Sequence, residues 1–510
     1  MMADAFTTWY NSVFTLSRAN GQGSKLGTLS VFAAALAIFA IGTWLKARKL
    51  HKKMLKGRVR SVSFSSQQML SGIFPGKSKV RQPIINAVFY FKKCPDADKM
   101  VKVCESLMVF DRMRSGVTLI NGVPHLVEIP DVPRAAKESV ISRTVNGESE
   151  LRNAIDEINA EEFEYGEAKP LLTLYRLENT GTGRSAVLGR AHHVLGDGFA
   201  LVGLMNRLFS DKEGNPLKID LAENKKPIGG KNLRFGLSMI PRLIRGVIDV
   251  LLLPNSAYDT DIKFFARHNQ SVSMGERKSV DFPAIKLDFI KDLKNKANVT
   301  VNDVLFAATS GMLRAYSVKH DDPAFKKSVQ TRALMPIAFP RKREDMKDPA
   351  KALRNLWSLV SAPMCVNETS PLARLRACAK VTKRLKLQPN ALIQLFFQDN
   401  AVSHFPTFLQ RQIALDVFSR HTMVFSNVPG PPTTVYYCGE EVVSMSITFP
   451  NIIPQVIVIS YNGGIFFNLN IDPTEANVDD LSQLFVQELK KMGEELGCDV
   501  SDEAVYFKSH

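Results

Sequence analysis

Past residue 80 the apolar positions of the chain follow two periods. "INAVFYFKK", from Ile85, is a short run rich in β-branched and aromatic residues and predicts a strand. "DADKMVKVCESLMVF" sets Met100, Val103, Cys104, Leu107 and Met108 at the three-to-four spacing of one helix face. A second predicted strand, "RSAVLGRAHHV", ends on two adjacent histidines, and "GFALVGLMNRLFS" leaves them with Leu201, Leu204, Met205 and Leu208 at helical spacing. Between Asp211 and Lys231 the chain turns polar and rich in Gly, Pro and Lys, as a linker does. Beyond it come a strand in "SVDFPAIKLDF", a helix in "IKDLKNKA" and a longer one through "TVNDVLFAATSGMLRAYSVKH", with Thr300 or Asn302 as N-cap. "PQVIVISYNGGIFFNLNID" predicts a hairpin turning at Asn462-Gly463-Gly464. Helix and strand thus intermix along the chain, without a short repeat.

One segment follows neither period. Leu26 to Leu45 are 20 consecutive uncharged residues, enough to cross a hydrocarbon core of about 30 Å as a helix. Eight Lys and Arg follow between Lys46 and Arg60. A cleaved signal carries its charge before the apolar run, so an uncleaved anchor is the reading, and the charge bias sets the rest of the chain in the cytosol. The expected layout is a lumenal N-terminus over residues 1–25, a transmembrane helix over 26–45 and a basic juxtamembrane segment over 46–60. A buried core helix is the plainer alternative. The net charge of +16 is partly this basic run, which also suits anionic lipid headgroups. It lacks the aromatic interleaving of a nucleic-acid surface, so no nucleic-acid partner is expected. The length of 510 residues predicts two domains. Cysteines 94, 104, 365, 378, 438 and 498 form no C-x-x-C, which indicates neither a zinc site nor a disulfide framework.

The candidate chemistry sits in "HHVLGDG", His192 to Gly198, where a strand hands over to a helix. His and Asp are common metal ligands, but no third ligand lies nearby in sequence, and no metal is expected. A near-neutral histidine beside a Gly-containing turn suits a general base. No G-x-S-x-G elbow accompanies it, so the base would activate the hydroxyl of a substrate.

"HHVLGDG" resembles the HHxxxDG signature of CoA-dependent acyltransferases, shared with peptide-synthetase condensation domains and the chloramphenicol acetyltransferase fold. "VTVNDVLFAATSGMLRAY", "FSNVPGPP" and "PQVIVISYNGGIFFNLNID" resemble the ND motif, the NVPGP motif and the C-terminal strands of the wax ester synthase/diacylglycerol acyltransferase family, in order, over about Ser61 to Leu496. "KPLLTLY" stands where that family often has Pro-Leu-Trp, and the anchor is absent from typical bacterial members. The resemblance implies an α/β fold of two chloramphenicol-acetyltransferase-like domains with a channel between them, and the transmembrane helix read from the apolar run would precede them. The first domain would span residues 61–225, a crossover 226–280 and the second domain 281–510.

The resemblance further implies acyl-CoA as co-substrate, with no bound cofactor, and a fatty alcohol or diacylglycerol as acceptor. His193 would be the base and Asn302 the oxyanion donor, with a helix cap as the plainer reading of Asn302. Asp197 would brace the loop through an arginine or, alternatively, orient the ring, while Gly198 leaves room for substrate and His192 packs. Asn427, Pro429 and Gly430 would shape the channel. Arg234 to Pro254 would lie in the membrane interface or form a core helix, and Ala391 to Leu409 would line an acyl tunnel or form ordinary core. The expected location is the endoplasmic reticulum membrane, single-pass and facing the cytosol, with lipid droplets as a second site. A non-catalytic lipid-binding or tethering protein is the alternative to an enzyme.

Overall fold

The computed structural model describes residues 59–60, 64–71, 82–120, 123–217, 240–265, 278–339, 341–405, 407–472 and 476–508. The first lobe begins with β1 (Val59–Arg60) and α1 (Phe64–Ser71). It continues through β2 (Ile84–Phe91), α2 (Ala97–Leu107), β3 (Ser115–Ile120), β4 (Val123–Glu128), α3 (Val132–Glu138), β5 (Val140–Val145), α4 (Glu148–Ala160), β6 (Leu172–Asn179), β7 (Ser185–His192) and α5 (Gly198–Leu208). Next comes α6 (Ile240–Leu252). The second lobe follows with β8 (Lys278–Asp281), β9 (Ile285–Lys286), α7 (Leu287–Ala297), α8 (Val301–Lys319), β10 (Arg332–Ala338), β11 (Trp357–Pro363), α9 (Pro371–Leu387), α10 (Asn390–Asn400) and α11 (Thr407–Ser419). The chain continues through β12 (Met423–Pro429), β13 (Tyr436–Tyr437), β14 (Glu440–Thr448), β15 (Gln455–Tyr461), β16 (Gly464–Ile471), α12 (Val478–Leu496) and a last short helix, Asp502–Val505.

Local chemistry explains several of these elements. Asn462 and Gly463 both take positive φ, 45° and 80°, which gives the two-residue hairpin turn between β15 and β16 a twist that matches its strands. The predicted strand "SVDFPAIKLDF" is split, because Pro283 has no N–H to donate and interrupts pairing to β16 between β8 and β9. Helix α8 is capped by Thr300, whose hydroxyl accepts from Asp303 N while the Asp303 carboxylate accepts from Thr300 N. The cap is therefore Thr300, and Asn302 lies inside the first turn.

The second lobe's main sheet runs β11-β10-β12-β15-β16-β8, with β9 also on β16, and the first lobe's runs β13-β14-β2-β7-β6-β5. The latter order corrects the contiguous division at residue 281. β13 and β14 come late in the chain, yet β14 pairs antiparallel with β2 and buries Val442 and Met445 in the first lobe's core. At the other boundary, Phe264 and Phe265 are buried in the second lobe's core, ahead of residue 281. The basic segment also ends earlier than residue 60, because Val59 and Arg60 pair with Val127 and Leu126 of β4. The apolar run Leu26–Leu45 lies outside the described residues, among which no helix is long and apolar enough to cross a membrane.

Candidate active site

β7 delivers His192 as its last residue and the chain turns at His193, whose backbone N–H donates to Pro83 O (2.8 Å). The two imidazoles then face different surroundings. His192 is fully buried, its Nδ1 accepting from Val194 N (3.1 Å). Its Nε2 must then carry the proton and donates to the Tyr165 hydroxyl (3.0 Å). Burial, with His193 alongside, pushes its pKa down to about 3, so it stays neutral and pins the turn.

His193 is held by a residue that sequence reasoning missed. Asn355 Nδ2 donates to His193 O (2.8 Å) and to Ser66 Oγ (3.1 Å). Its Oδ1 is thereby directed to His193 Nδ1 at 2.9 Å. A carboxamide oxygen only accepts, so Nδ1 carries the proton and Nε2 keeps the lone pair a general base requires. Burial holds the His193 pKa below the usual imidazole value, opposed by the Asp197 charge and by the Asn355 hydrogen bond. The ring lies edge-on to Trp357 and Phe449, with centroids 6.3 and 5.6 Å away.

Asp197 braces the loop. Its carboxylate caps α5 by accepting from Ala200 N (2.9 Å) and also accepts from Leu356 N (2.8 Å). Arg341 Nη2 donates to both of its oxygens at 2.8 and 2.7 Å, a buried pair that joins the two lobes. The Arg354–Trp357 segment therefore serves the turn three times, through Asn355, through Leu356 N–H and through the Trp357 ring. Arg112 supports the other side, with Nη1 donating to Val194 O (2.6 Å) and Ser66 Oγ (2.7 Å). Arg341, Arg112 and Asn355 stand 144, 82 and 162 residues from the groups they bind, so no local spacing announces them.

His193, Asp197 and Gly198 line a cavity of about 320 Å³ between the lobes. Its walls are mainly apolar, with Ile85, Phe199 and Val202 from the first lobe, Leu359, Phe418, Val424 and Ile457 from the second, and Ile447 from β14. A Cβ added at Gly198 would meet only Val428 Cγ2, at 3.9 Å, so the space at Gly198 is open. Asn427 and Pro429 line the cavity, but Gly430 does not. A Cβ there would stand 2.2 Å from Ser460 O, so glycine serves the close approach of β12 to β15. Asn302 is also off the wall, and its Oδ1 accepts from Asn427 Nδ2 (3.4 Å). Among its described residues the stretch Ala391–Leu409 contributes none to the lining, and α11 joins the wall with Gln410. Among the described residues no group of three His, Cys, Asp or Glu is placed to hold a metal ion.

Two lobes sharing a crossing strand, with the histidine turn facing a cavity between them, define the condensation-domain and acyltransferase fold. The chain superposes on the first condensation domain of the CDA synthetase with a TM-score of 0.55, 12% identity, and coverage of 88% of this chain and 99% of that one. It superposes on the wax ester synthase/diacylglycerol acyltransferase from Marinobacter aquaeolei VT8 with a TM-score of 0.56, 16% identity, and coverage of 86% and 100%. Sequence narrows the class. Residues 354–493 match the WS/DGAT C-terminal domain. The Arabidopsis thaliana wax ester synthase/diacylglycerol acyltransferase 11 is 26% identical over 344 residues, covering 60% of this chain and 69% of that protein. The Mycobacterium tuberculosis protein named "Probable diacyglycerol O-acyltransferase" is 27% identical over 288 residues, 53% of this chain and 61% of that relative's length. By these matches the chain resembles the wax ester synthase/diacylglycerol acyltransferase family, with the family model itself covering residues 354–493.

Proposed function

We propose that the protein is an O-acyltransferase that moves a fatty acyl group from acyl-CoA to a long-chain alcohol, to diacylglycerol or to both. The observation that carries this is the fixed tautomer of His193, whose free Nε2 belongs to a ring lining an apolar cavity between the lobes. Nε2 takes the hydroxyl proton of the acceptor as its oxygen attacks the thioester carbonyl. The tetrahedral oxyanion is met by the Asn427 amide, positioned by Asn302. Collapse breaks the carbon–sulfur bond, and the imidazolium returns its proton to the leaving CoA sulfur. The apolar walls suit acyl chains and exclude the water that would divert the thioester to hydrolysis. We further propose that Leu26–Leu45 anchors the enzyme in the endoplasmic reticulum membrane with its catalytic lobes in the cytosol.

The test is incubation of the full-length protein with labelled palmitoyl-CoA and either hexadecanol or diacylglycerol, resolving wax ester from triacylglycerol. His193→Ala is expected to lower ester formation by about 10²- to 10⁴-fold in folded protein, while His192→Ala loses far less turnover per folded molecule. Absence of ester with both acceptors, alongside retained lipid binding, would favour a non-catalytic lipid-binding or tethering protein.

A further inference from the structure

Exposed large apolar side chains cluster on this molecule. Of thirteen among the described residues, eight lie on α6, on α10 and at the end of α9. On α6 they form a stripe of Ile240, Ile244, Ile248 and Leu252 at four-residue spacing, each about half exposed. The other side of the helix faces the protein. A Cβ on Gly246 would stand 2.7 Å from Ile393 Cδ1, and Asp249 accepts from Asn390 Nδ2 (3.4 Å). α6 thus docks on α10 around Gly246 and Asp249, with Leu243 and Val250 half-buried beside them, and turns a second apolar stripe outward, where an ordinary surface helix is polar. α10 extends the patch with Leu392 and Phe396, which are 48% and 62% exposed. Single exposed apolar residues are ordinary, but a contiguous patch marks a surface that is covered in use.

The rim of the patch names what covers it. Arg242 and Arg245 flank the stripe on α6. Arg245 and Arg384 of α9 line one cleft together with Leu252, and exposed Lys386 precedes exposed Leu387. Apolar side chains ringed by guanidinium and ammonium groups complement an anionic bilayer, acyl boundary to stripe and phosphates to rim. A second copy of this chain would bring the same cations face to face. The patch also adjoins the cavity. The chain leaving α6, Leu253–Asn255, packs on α11, whose Gln410, Ala414, Leu415 and Phe418 form part of the cavity wall.

We infer that α6 and the outward side of α10 form a platform that docks the protein onto an anionic phospholipid surface, with the cavity wall at the bilayer. The purpose of docking, delivery of lipid substrates, rests on the acyltransferase reading above. Docking itself is read separately, with the full-length chain carrying p-benzoylphenylalanine at Ile248, at Phe396 or, as a control, at exposed Lys291 of α7, and irradiated with phosphatidylcholine vesicles with or without phosphatidylserine. Phospholipid adducts are expected at the first two positions well above the control, diminishing without phosphatidylserine or in high salt. Introducing Ile244→Asp and Ile248→Asp is expected to lower the Phe396-site adduct by about tenfold or more, the effect of exposing buried aliphatic side chains to charge. The same double variant retains esterification of detergent-dispersed substrates, so loss of docking and absence of turnover are read independently. Equal adducts at Lys291, adducts indifferent to phosphatidylserine, or cross-links to residues 26–45 or to a second copy would overturn the inference.

Discussion

In the proposed reaction His193 and Asn355 act as a pair, because a base is useful only when its lone pair faces the substrate. The Asn355 oxygen accepts from Nδ1 and thereby selects the tautomer, while burial keeps the ring neutral. With its pKa held below the ordinary value of about 6.5, turnover is expected to be level around neutrality and to fall only in acid, as the ring takes up a proton. Asn355→Asp puts a carboxylate against Nδ1–H, stabilises the imidazolium and raises the pKa. The acid limb of the pH profile is then expected to move to higher pH, with activity recovering at alkaline pH, whereas Asn355→Ala loses turnover throughout. Superimposable normalised profiles for Asn355→Asp and the native protein would remove the positioning role. His193 was legible in the sequence because its neighbours define a motif. Asn355 was not, since an asparagine before a strand is unremarkable until folding brings it to the ring.

At the start of helix α8 a capping role, at Thr300 and Asp303, lies within three residues of the supporting role proposed for Asn302. Thr300 and Asp303 satisfy each other's backbone N–H groups, and Asp303 also accepts from the Thr382 hydroxyl. Thr300→Ala is expected to cost about 1 kcal/mol of stability in urea unfolding, with turnover per folded molecule unchanged. Asn302→Ala leaves that box intact and removes the acceptor of the Asn427 amide, so its expected effect is the opposite, a thermal midpoint near native and turnover lower by about tenfold or more. Equal stability losses from the two would mean that Asn302 is only part of the helix start. The helix itself was plain in the sequence, but its cap was ambiguous, because Thr300 and Asn302 are both good capping residues. The bond to Asn427, 125 residues away, needed the folded chain.

Across the whole molecule, the lobes are joined by an exchanged strand and by a buried ion pair. β14 completes the first lobe's sheet from late in the chain, and Arg341 reaches across to Asp197. Because Val59 already belongs to β1 and Ser66 to the support of His193, removal of the N-terminal segment is best stopped at residue 57. A protein lacking residues 1–57 is expected to keep most of its turnover on detergent-dispersed substrates. On the proposal that Leu26–Leu45 is an anchor, it should lose apparent affinity for substrates held in vesicles, whose effective concentration anchoring would raise. If it remains folded by circular dichroism yet is inactive on dispersed substrate, the removed segment belongs to the site.

By itself the sequence determined the local matters: the strand that ends at His192, the hairpin at Asn462-Gly463, the long helix after Thr300 and the histidine motif between strand and helix. These depend on side-chain period, turn chemistry and neighbours a few residues apart, all of which are written consecutively. Only the tertiary structure decided that β14 joins the first lobe, that Arg341 rather than His193 takes up the Asp197 carboxylate, and that Asn355 fixes the tautomer. It also decided that the apolar stripe of α6 faces outward. An apolar period says that a face must be covered, but not by what, because that depends on which surfaces the rest of the chain has already buried.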